Sequence, residues 1–387
     1  SRRRHTRYPL VTGVQTCALP ISVLRQALGK DPGQRFSSAG HFAAAVRKAS
    51  RPSSWALPLG AATVAAGLVA FFIPRSPSPP PAVPSRQQQD ADRTAAEWAV
   101  RVGGFVRVVS DGVAREYPKS GKLPDGPLQV IGLDLEQAAA DRKLSNEGIV
   151  RLKGLKHLKS LSLHVEGFDD LSPLADMVSL ERYRGRFTND GLSILQRLPK
   201  LKELNVGSWR GNRDVTDEGL ATLTRYPRLE VLQLWGCGIT DAGLATINEL
   251  TNLRELSLFR TRISDEGLRH LKDLPHLHDL SLEGTQVTGS TLDSLKGLSQ
   301  LTNLNLGATR VTDDSLQKLE ALTGLQKLSL HWQKDKITDA GLVHLKGLSN
   351  LGEVSLGDTG VTDQGMSDLK KALPDCNVTR EHYTGSR

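Results

Sequence analysis

The chain has 387 residues, with 50 lysines and arginines against 42 aspartates and glutamates, and only 5% of its residues are aromatic. Its net charge of +8 lies in residues 1–86, which hold 12 basic residues and one acid, so the rest of the chain carries −3. A mildly acidic folded region argues against a nucleic-acid-binding protein, and cysteines at positions 17, 237 and 376 are too few and too scattered for a disulfide-rich scaffold or a zinc site.

Residues 1–21 resemble a translated short-read sequencing adapter. The resemblance lies in SRRRHTR (residues 1–7) and VTGVQTCALPI (residues 11–21), which would be the fixed halves on either side of a variable barcode. A short basic tail is the alternative. Such segments are excluded from fold prediction, and under the adapter interpretation we expect the natural chain to continue upstream.

Residues 22–50 are predicted to form two helices separated by a turn at Asp31-Pro32-Gly33. The segment resembles the end of the C-lobe in bacterial, planctomycete-like, eukaryotic-type Ser/Thr protein kinases. The matching residues are Ala27, Leu28, Lys30, Asp31, Pro32, Arg35 and Phe36. The resemblance implies that Asp31, Pro32 and Arg35 are a structural remnant of a kinase, with Arg35 as the C-lobe anchor. An unrelated helical pair is the alternative.

The kinase resemblance does not extend to catalysis. The sequence has neither the His-Arg-Asp nor the Asp-Phe-Gly motif, which orient the substrate hydroxyl and hold Mg²⁺ in phosphoryl transfer. We also find no paired catalytic carboxylates, nucleophile elbow or phosphate-binding glycine loop in residues 93–387. The chain is therefore predicted to have no enzymatic activity and no cofactor.

Residues 55–74 (WALPLGAATVAAGLVAFFIP) form an uncharged stretch long enough for one transmembrane helix. Arg47, Lys48 and Arg51 precede it and Arg75 follows it, so the positive-inside rule predicts a cytoplasmic N-terminal side and an extracytoplasmic repeat domain. A cleaved signal sequence and a buried core helix are the alternatives. Residues 75–92 are predicted to be a proline-rich linker, in which residues 75–86 (RSPSPPPAVPSR) form an extended, polyproline-like spacer.

From residue 144 to 383 the chain repeats itself, mostly every 24 residues. Successive units begin at Thr188, Thr216, Thr240, Ser264, Thr288, Thr312, Thr338 and Thr362. Counting the first Thr or Ser as position 1, leucine or a similar residue recurs at positions 5, 8, 11, 14, 17 and 19, with Ile or Val at 24. The pattern resembles the leucine-rich-repeat family.

The predicted fold class is therefore α/β: a leucine-rich-repeat solenoid with a parallel sheet on its concave face and short helices on its convex face, preceded by one transmembrane helix. Residues 93–143 are predicted to form its N-terminal cap, with an amphipathic start around Trp98. Threonine at position 1 and aspartate at position 2 should cap the short helices. A hydroxyl or thiol at position 22 should form a hydrogen bond with a backbone group in the turn that follows each strand.

Binding is predicted on the concave face, because the side chains at positions 16, 18, 20 and 21 of each unit are expected to point out of the sheet. Among them, aromatic residues and arginine are the best candidates, since these residue types dominate protein interfaces. The candidate residues are Trp209, Trp235, Phe259, Arg260, Glu283, His331 and Trp332. The alternative is that a neighbouring loop covers these side chains. His276 and His278 have no third ligand nearby in sequence, so no metal site is predicted.

Together these features predict a membrane-anchored sensor module that binds a protein or peptide, the non-catalytic C-terminal part of a receptor-type Ser/Thr kinase. The alternative is a non-signalling anchored adhesion or scaffold protein. A catalytic His-Arg-Asp motif in the genomic sequence upstream of Ser22 would decide for the kinase.

Overall fold

A computed structural model describes residues 85–118, 121–140, 144, 146–163, 172–209, 211–226 and 228–380. The adapter-like residues 1–21, the kinase-like residues 22–50 and the apolar residues 55–74 lie outside this part of the chain. Within the described part, no helix combines the length and apolarity that crossing a membrane requires.

The described part opens with helix α1 (Arg86–Val102), whose N-cap Ser85 accepts a hydrogen bond from the backbone of Gln88. The helix therefore begins inside residues 75–92, the predicted proline-rich linker, at the last residue of the predicted extended spacer. The prolines end at residue 84, and Arg86 starts a run without helix breakers, so the extended conformation has no cause beyond that point. α1 ends at Gly103, which has a left-handed φ of 93°.

Three antiparallel strands, with the first in the middle, follow α1 and complete the N-terminal cap. Strands β1 (Phe105–Ser110) and β2 (Val113–Tyr117) form a hairpin, and β1 also pairs with β3 (Gln129–Asp134). Ala95, Ala96, Trp98 and Ala99 of α1 are buried in the continuous hydrophobic core. This helix therefore closes the core at the N-terminal end.

From β3 onwards the strands are parallel. They are β4 (Ser160–Leu163), β5 (Arg182–Gly185), β6 (Glu203–Asn205), β8 (Val231–Gln233), β10 (Glu255–Ser257), β11 (Asp279–Ser281), β12 (Asn303–Asn305), β13 (Lys327–Ser329), β14 (Glu353–Ser355) and β15 (Asn377–Thr379). Within the described residues, one thirteen-stranded sheet has the order β15-β14-β13-β12-β11-β10-β8-β6-β5-β4-β3-β1-β2. Between β6 and β10, strands β7 (Asn212–Thr216) and β9 (Cys237–Gly238) form a separate pair.

Short helices alternate with these strands. The α-helices are α2 (Glu136–Ala140), α3 (Asn146–Val150), α4 (Asn189–Ile194), α5 (Asp217–Ala221), α6 (Asp241–Ile247), α7 (Asp265–Leu268), α8 (Asp313–Leu316), α9 (Asp339–Leu342) and α10 (Asp363–Ala372). The 3₁₀ helices are Ser172–Asp176, Leu195–Arg197, Thr222–Arg225, Leu271–Asp273, Leu292–Gly297, Gln317–Ala321 and Val343–Leu345. This alternation is the predicted leucine-rich-repeat solenoid.

The repeated leucines form one continuous interior. We call one repeat unit a rung of the solenoid. In the rung Thr240–Ile263, all seven apolar positions are buried: Leu244, Ile247, Leu250, Leu253, Leu256, Leu258 and Ile263. Neighbouring strands pair in register, so that Leu256 lies between Leu232 and Leu280. The prediction that the leucines face a shared core is confirmed.

Aspartate at position 2 lies in the first turn of a short helix, and it also hydrogen-bonds to the next rung. Asp241 Oδ1 accepts a hydrogen bond of 2.8 Å from the backbone N–H of Ser264 in the next rung, and its Oδ2 accepts one of 2.5 Å from the Ser264 hydroxyl. The same contact recurs along the array as an aspartate ladder: Asp217 to Thr240, Asp265 to Thr288, Asp313 to Thr338 and Asp339 to Thr362. The ladder joins consecutive rungs on the convex side.

The predicted role of position 22 is confirmed. The hydroxyls of Thr261, Thr285 and Thr309 each donate a 2.6 Å hydrogen bond to the leucine carbonyl three residues earlier. Cys237 occupies this position in its rung and its thiol lies 3.8 Å from the carbonyl of Val206. Burial raises the pKa of the Cys237 thiol to about 12, so this thiol has a structural role rather than a reactive one.

Candidate binding surface

Each rung leaves the sheet through a turn formed by its positions 20 to 23. We call the surface formed by these turns the turn edge. In the rung Thr240–Ile263 the side chains of Thr261 and Ile263 point into the core. Arg260, directly before Thr261, and Arg262, between Thr261 and Ile263, are exposed. The turn edge therefore presents positions 21 and 23 of this rung to solvent, and in the rungs that begin at Thr216, Ser264, Thr288, Thr312 and Thr338 these positions are exposed or half-buried.

Three aromatic residues from three neighbouring rungs meet at the turn edge. The ring of Trp209 lies 5.0 Å from that of Trp235 and 5.3 Å from that of Phe259, measured between centroids. Trp209 approaches Phe259 edge to face, at 69° between the planes, an arrangement that aromatic pairs favour. We call these residues the aromatic cluster. Trp209 is 70% exposed, whereas Trp235 and Phe259 are half-buried.

The loop after β6 builds this cluster. The backbone N–H of Ser208 donates to the carbonyl of Trp235 at 2.9 Å. The buried amide of Asn212 donates to the carbonyls of Phe187 and Val206 at 3.1 and 2.9 Å. The Trp235 ring lies directly on Gly207, where a Cβ would overlap the indole. The extra length of this rung therefore forms a pinned loop that presents Trp209.

The residue at position 21 has a left-handed backbone in six successive rungs. The φ values are 71° at Gly236, 55° at Arg260, 70° at Gly284, 50° at Ala308, 57° at Trp332 and 52° at Asp358. Glycine adopts this conformation without strain, while a side chain at such a position costs about 1–2 kcal/mol. Arginine and tryptophan at position 21 therefore carry a backbone cost that the glycine-containing rungs avoid.

Arg260 lies beside the aromatic cluster. Its guanidinium carbon lies 4.9 Å from the centroid of the Phe259 ring, within cation–π range. Its aliphatic part rests against Gly284 of the next rung. Within the described residues Arg260 makes no ion pair. Four of the predicted site residues, Trp209, Trp235, Phe259 and Arg260, are thus brought together.

His331 does not lie on an accessible surface, and the sequence-based assignment of this residue to the partner-binding face is wrong. The side chain is 1% exposed. Its Nδ1 lies 2.5 Å from the Ser329 hydroxyl, and its Nε2 lies 3.4 Å from Glu283 Oε1. This contact spans two rungs because Gly307 between them has no side chain, and a Cβ there would lie 2.5 Å from the imidazole.

The serine, histidine and glutamate of this contact have the connectivity of a hydrolytic triad but not its accessibility. Ser329 is 2% exposed and Glu283 is 15% exposed, so no substrate carbonyl has room to reach the serine hydroxyl. Glu283 also accepts a 2.9 Å hydrogen bond from the amide of Asn305. The three side chains therefore form a polar cross-link between rungs.

Trp332 follows His331 at the turn edge and is 45% exposed. Its ring stands edge to face against the imidazole, at 4.6 Å between centroids. β13 is three strands away from β10 in the sheet, which is roughly 14 Å at ~4.8 Å per strand. Trp332 is therefore a second aromatic position, separate from the aromatic cluster.

Two exposed residues of the turn edge, Arg262 and Arg310, escaped the sequence analysis. Both occupy position 23, and within the described residues neither makes an ion pair. The strand pattern does not indicate position 23, because the outward-facing positions that it predicts end at position 21. The available signal was a basic residue directly before the last apolar position of the rung.

The strand surface itself is polar and partly acidic. Glu255 and Asp279 are directly opposite each other on β10 and β11. Burial, and then the neighbouring carboxylate of Asp279, raise the pKa of Glu255. Among the described residues, no three His, Cys, Asp or Glu side chains converge in a way that could hold a metal ion. The kinase-like Asp31, Pro32 and Arg35 are outside the described part.

No model of a known protein family matches the chain. Among solved structures, an internalin of Listeria monocytogenes shares 20% identity with a TM-score of 0.37, covering 61% of this chain and 88% of its own. A leucine-rich-repeat protein of Leptospira interrogans shares 19% identity with a TM-score of 0.42, covering 59% and 62%.

Among curated proteins, mitochondrial ATP synthase subunit s of Homo sapiens and of Pongo abelii are each 30% identical to this chain over 155 residues. The alignment covers 37% of this chain and 76% of each relative. Since most of the relative is matched at this identity, the chain belongs to the protein family of ATP synthase subunit s, and its repeat region is a leucine-rich-repeat solenoid.

Proposed function

We propose that the repeat region is a non-catalytic binding module that captures a protein or peptide at the turn edge and the adjoining concave face. The observation that carries this proposal is the aromatic cluster with Trp209 at its centre. A tryptophan that is 70% exposed and held by a pinned loop contributes little to the core, whereas tryptophan and arginine are the residues that dominate interface energetics.

The family relationship supports partner binding. The matched relatives are named as a subunit of ATP synthase, so proteins related to this chain are named as part of a larger assembly. This favours the scaffold alternative, in which the module joins proteins without signalling.

The membrane-anchored form of the proposal rests on the sequence of residues 55–74 and on the kinase-like run around Asp31. In that form the repeat domain is the extracytoplasmic sensor of a receptor-type Ser/Thr kinase. Genomic sequence upstream of Ser22 separates the two forms: a reading frame with the catalytic motifs supports the kinase, and its absence supports the scaffold.

Binding itself is tested with a phage-displayed library of random 16-residue peptides panned against the full chain. The proposal predicts that peptides are enriched on the wild-type chain and lose at least ten-fold of their binding to Trp209→Ser. The matched control is Val343→Ser, which also changes an exposed apolar residue but lies far from the turn edge. No enrichment, or equal loss in both variants, would contradict the proposal.

A further inference from the structure

We infer that the turn edge recognises an extended acidic peptide segment with hydrophobic anchor residues. This inference rests on the proposed binding function and adds the chemistry of the partner. It follows from three features of the turn edge: its charge, the spacing of its aromatic side chains and the backbone strain at Arg260.

The exposed charges of the turn edge are predominantly basic, although the chain after residue 86 is slightly acidic overall. The exposed basic residues along it are Arg260, Arg262, Arg310 and Lys334. Among the described residues at positions 20 to 23, Asp358 is the exposed acid and Glu283 is half-buried. Arg260, Arg262 and Arg310 lack ion-pair partners in the described part of the chain, so their charges are available to carboxylates.

The aromatic positions define the shape of the partner. Successive turns are one strand spacing apart, so a peptide lying across the turns passes Arg260 and Arg310 between the aromatic cluster and Trp332. At ~3.3 Å per residue, an extended chain covers the roughly 14 Å from Phe259 to Trp332 with four to five residues. A hydrophobic residue at each end with carboxylates between them matches this arrangement.

Backbone strain at position 21 indicates which side chains matter. Gly236 and Gly284 show that glycine is accommodated at this position on both sides of Arg260. The surrounding structure imposes the left-handed backbone at this position in six rungs, so arginine at position 260 carries a strain that glycine would avoid, and strained residues cluster at binding sites. The Arg260 side chain points to solvent over Phe259 instead of into a core or an ion pair.

The composition of the peptides selected by panning tests this chemistry separately from binding. We expect the enriched 16-residue peptides to contain more Asp and Glu than the input library, with hydrophobic residues four to five positions apart. Enrichment of neutral or basic peptides would overturn the inference and leave the binding function standing. A failure to enrich any peptide would contradict both.

Two variants then measure the role of Arg260, using the most enriched peptide with a fluorescent label. Arg260→Gly is expected to weaken binding roughly ten-fold, as for the loss of a charge-assisted contact, without lowering the melting temperature. Asp111→Gly is the matched control, because it replaces another exposed charged residue with a left-handed backbone, in the β1–β2 turn at the opposite edge of the sheet. This control is expected to keep wild-type affinity within about two-fold.

The salt dependence and one competitor complete the test. Affinity for the acidic peptide should fall as the salt concentration rises, since exposed ion pairs are screened. Equal affinity of Arg260→Gly and wild type would overturn the inference. So would tighter binding of a single-stranded oligothymidine than of the peptide, which would make a nucleic acid the partner.

Discussion

Single residues at position 2 join one rung to the next in this solenoid. Asp241 accepts hydrogen bonds from both the backbone N–H and the hydroxyl of Ser264. In the earlier rung Asn189 has the same position, accepting from the backbone N–H of Thr216 at 2.9 Å and donating to its hydroxyl at 2.8 Å. An amide therefore satisfies the same groups as a carboxylate.

Asp241→Ala is expected to lower the free energy of unfolding by about 1–3 kcal/mol, because the partly buried N–H of Ser264 loses its acceptor. Asp241→Asn is the matched control and should cost less than about 1 kcal/mol, since the chain uses asparagine in this role at position 189. Urea unfolding followed by circular dichroism measures both values. Equal losses in the two variants would show that the charge, and not the hydrogen bond, is what matters.

How far the sequence predicts single residues depends on the range of their contacts. The hydroxyl of Thr261 bonds to a carbonyl three residues away, so its role follows from local geometry. The burial of His331 depends on Gly307 in the previous rung and on Glu283 two rungs away. Strict alternation along the strand assigns His331 to the surface because it takes no account of the space left by a neighbouring glycine.

Among the elements, helix α1 is attached to the solenoid partly through a buried carboxylate. Asp92 is fully buried. Its Oδ1 accepts from the backbone N–H of Val130 at 3.4 Å, and its Oδ2 accepts from the side-chain amide of Gln88 at 3.5 Å. Burial raises the pKa of Asp92 to about 6, although both hydrogen bonds act in the opposite direction. The folded chain therefore holds this proton more tightly than the unfolded chain does.

The stability that protonated Asp92 contributes is complete below about pH 4, its unfolded pKa, and is lost as the pH rises through about 6. Asp92→Asn should therefore be more stable than wild type by roughly 1–3 kcal/mol at pH 7, with the difference disappearing near pH 4. Denaturant unfolding at several pH values measures this. Asp90→Asn, at an exposed position of the same helix, should leave the pH profile unchanged; a parallel shift in both variants would argue against a special role for Asp92.

Element boundaries were predictable where the local pattern was complete. The Gly-Gly break and the β-rich run that follows it agree with the end of α1 and the start of β1 at Phe105. The start of α1 at Arg86 was missed because the residues from 86 to 92 have little hydrophobic periodicity. They are polar, and their helix is stabilised by specific contacts such as that of Gln88 with the carbonyl of Gly154 at 2.8 Å.

At the scale of the whole molecule, each rung depends on its neighbours, and the last rung depends on a cap. Helix α10 buries Leu369, with Leu373 directly after it, and β15 pairs with β14, which would otherwise be an open edge. Repeat arrays need such caps for solubility because an uncapped end exposes the leucine interior.

A chain that stops after residue 362 is therefore expected to lose at least about 3 kcal/mol of unfolding free energy, from the apolar surface it exposes, and to self-associate. Light scattering after size-exclusion chromatography and urea unfolding measure both effects. A chain that stops after residue 380 keeps α10, β15 and the contact of Arg380 with Asp363, and should behave as wild type. A monomeric, fully stable chain ending at residue 362 would mean that the cap is dispensable.

Hydrogen–deuterium exchange of the full chain with a saturating panned peptide tests most directly whether the turn edge is the binding surface. We predict slower exchange on peptide binding in residues 206–209, 235–238, 259–262 and 331–334, with no change in the convex helices α6 and α7. Protection confined to the convex helices, or an unchanged turn edge with peptide bound, would contradict the claim.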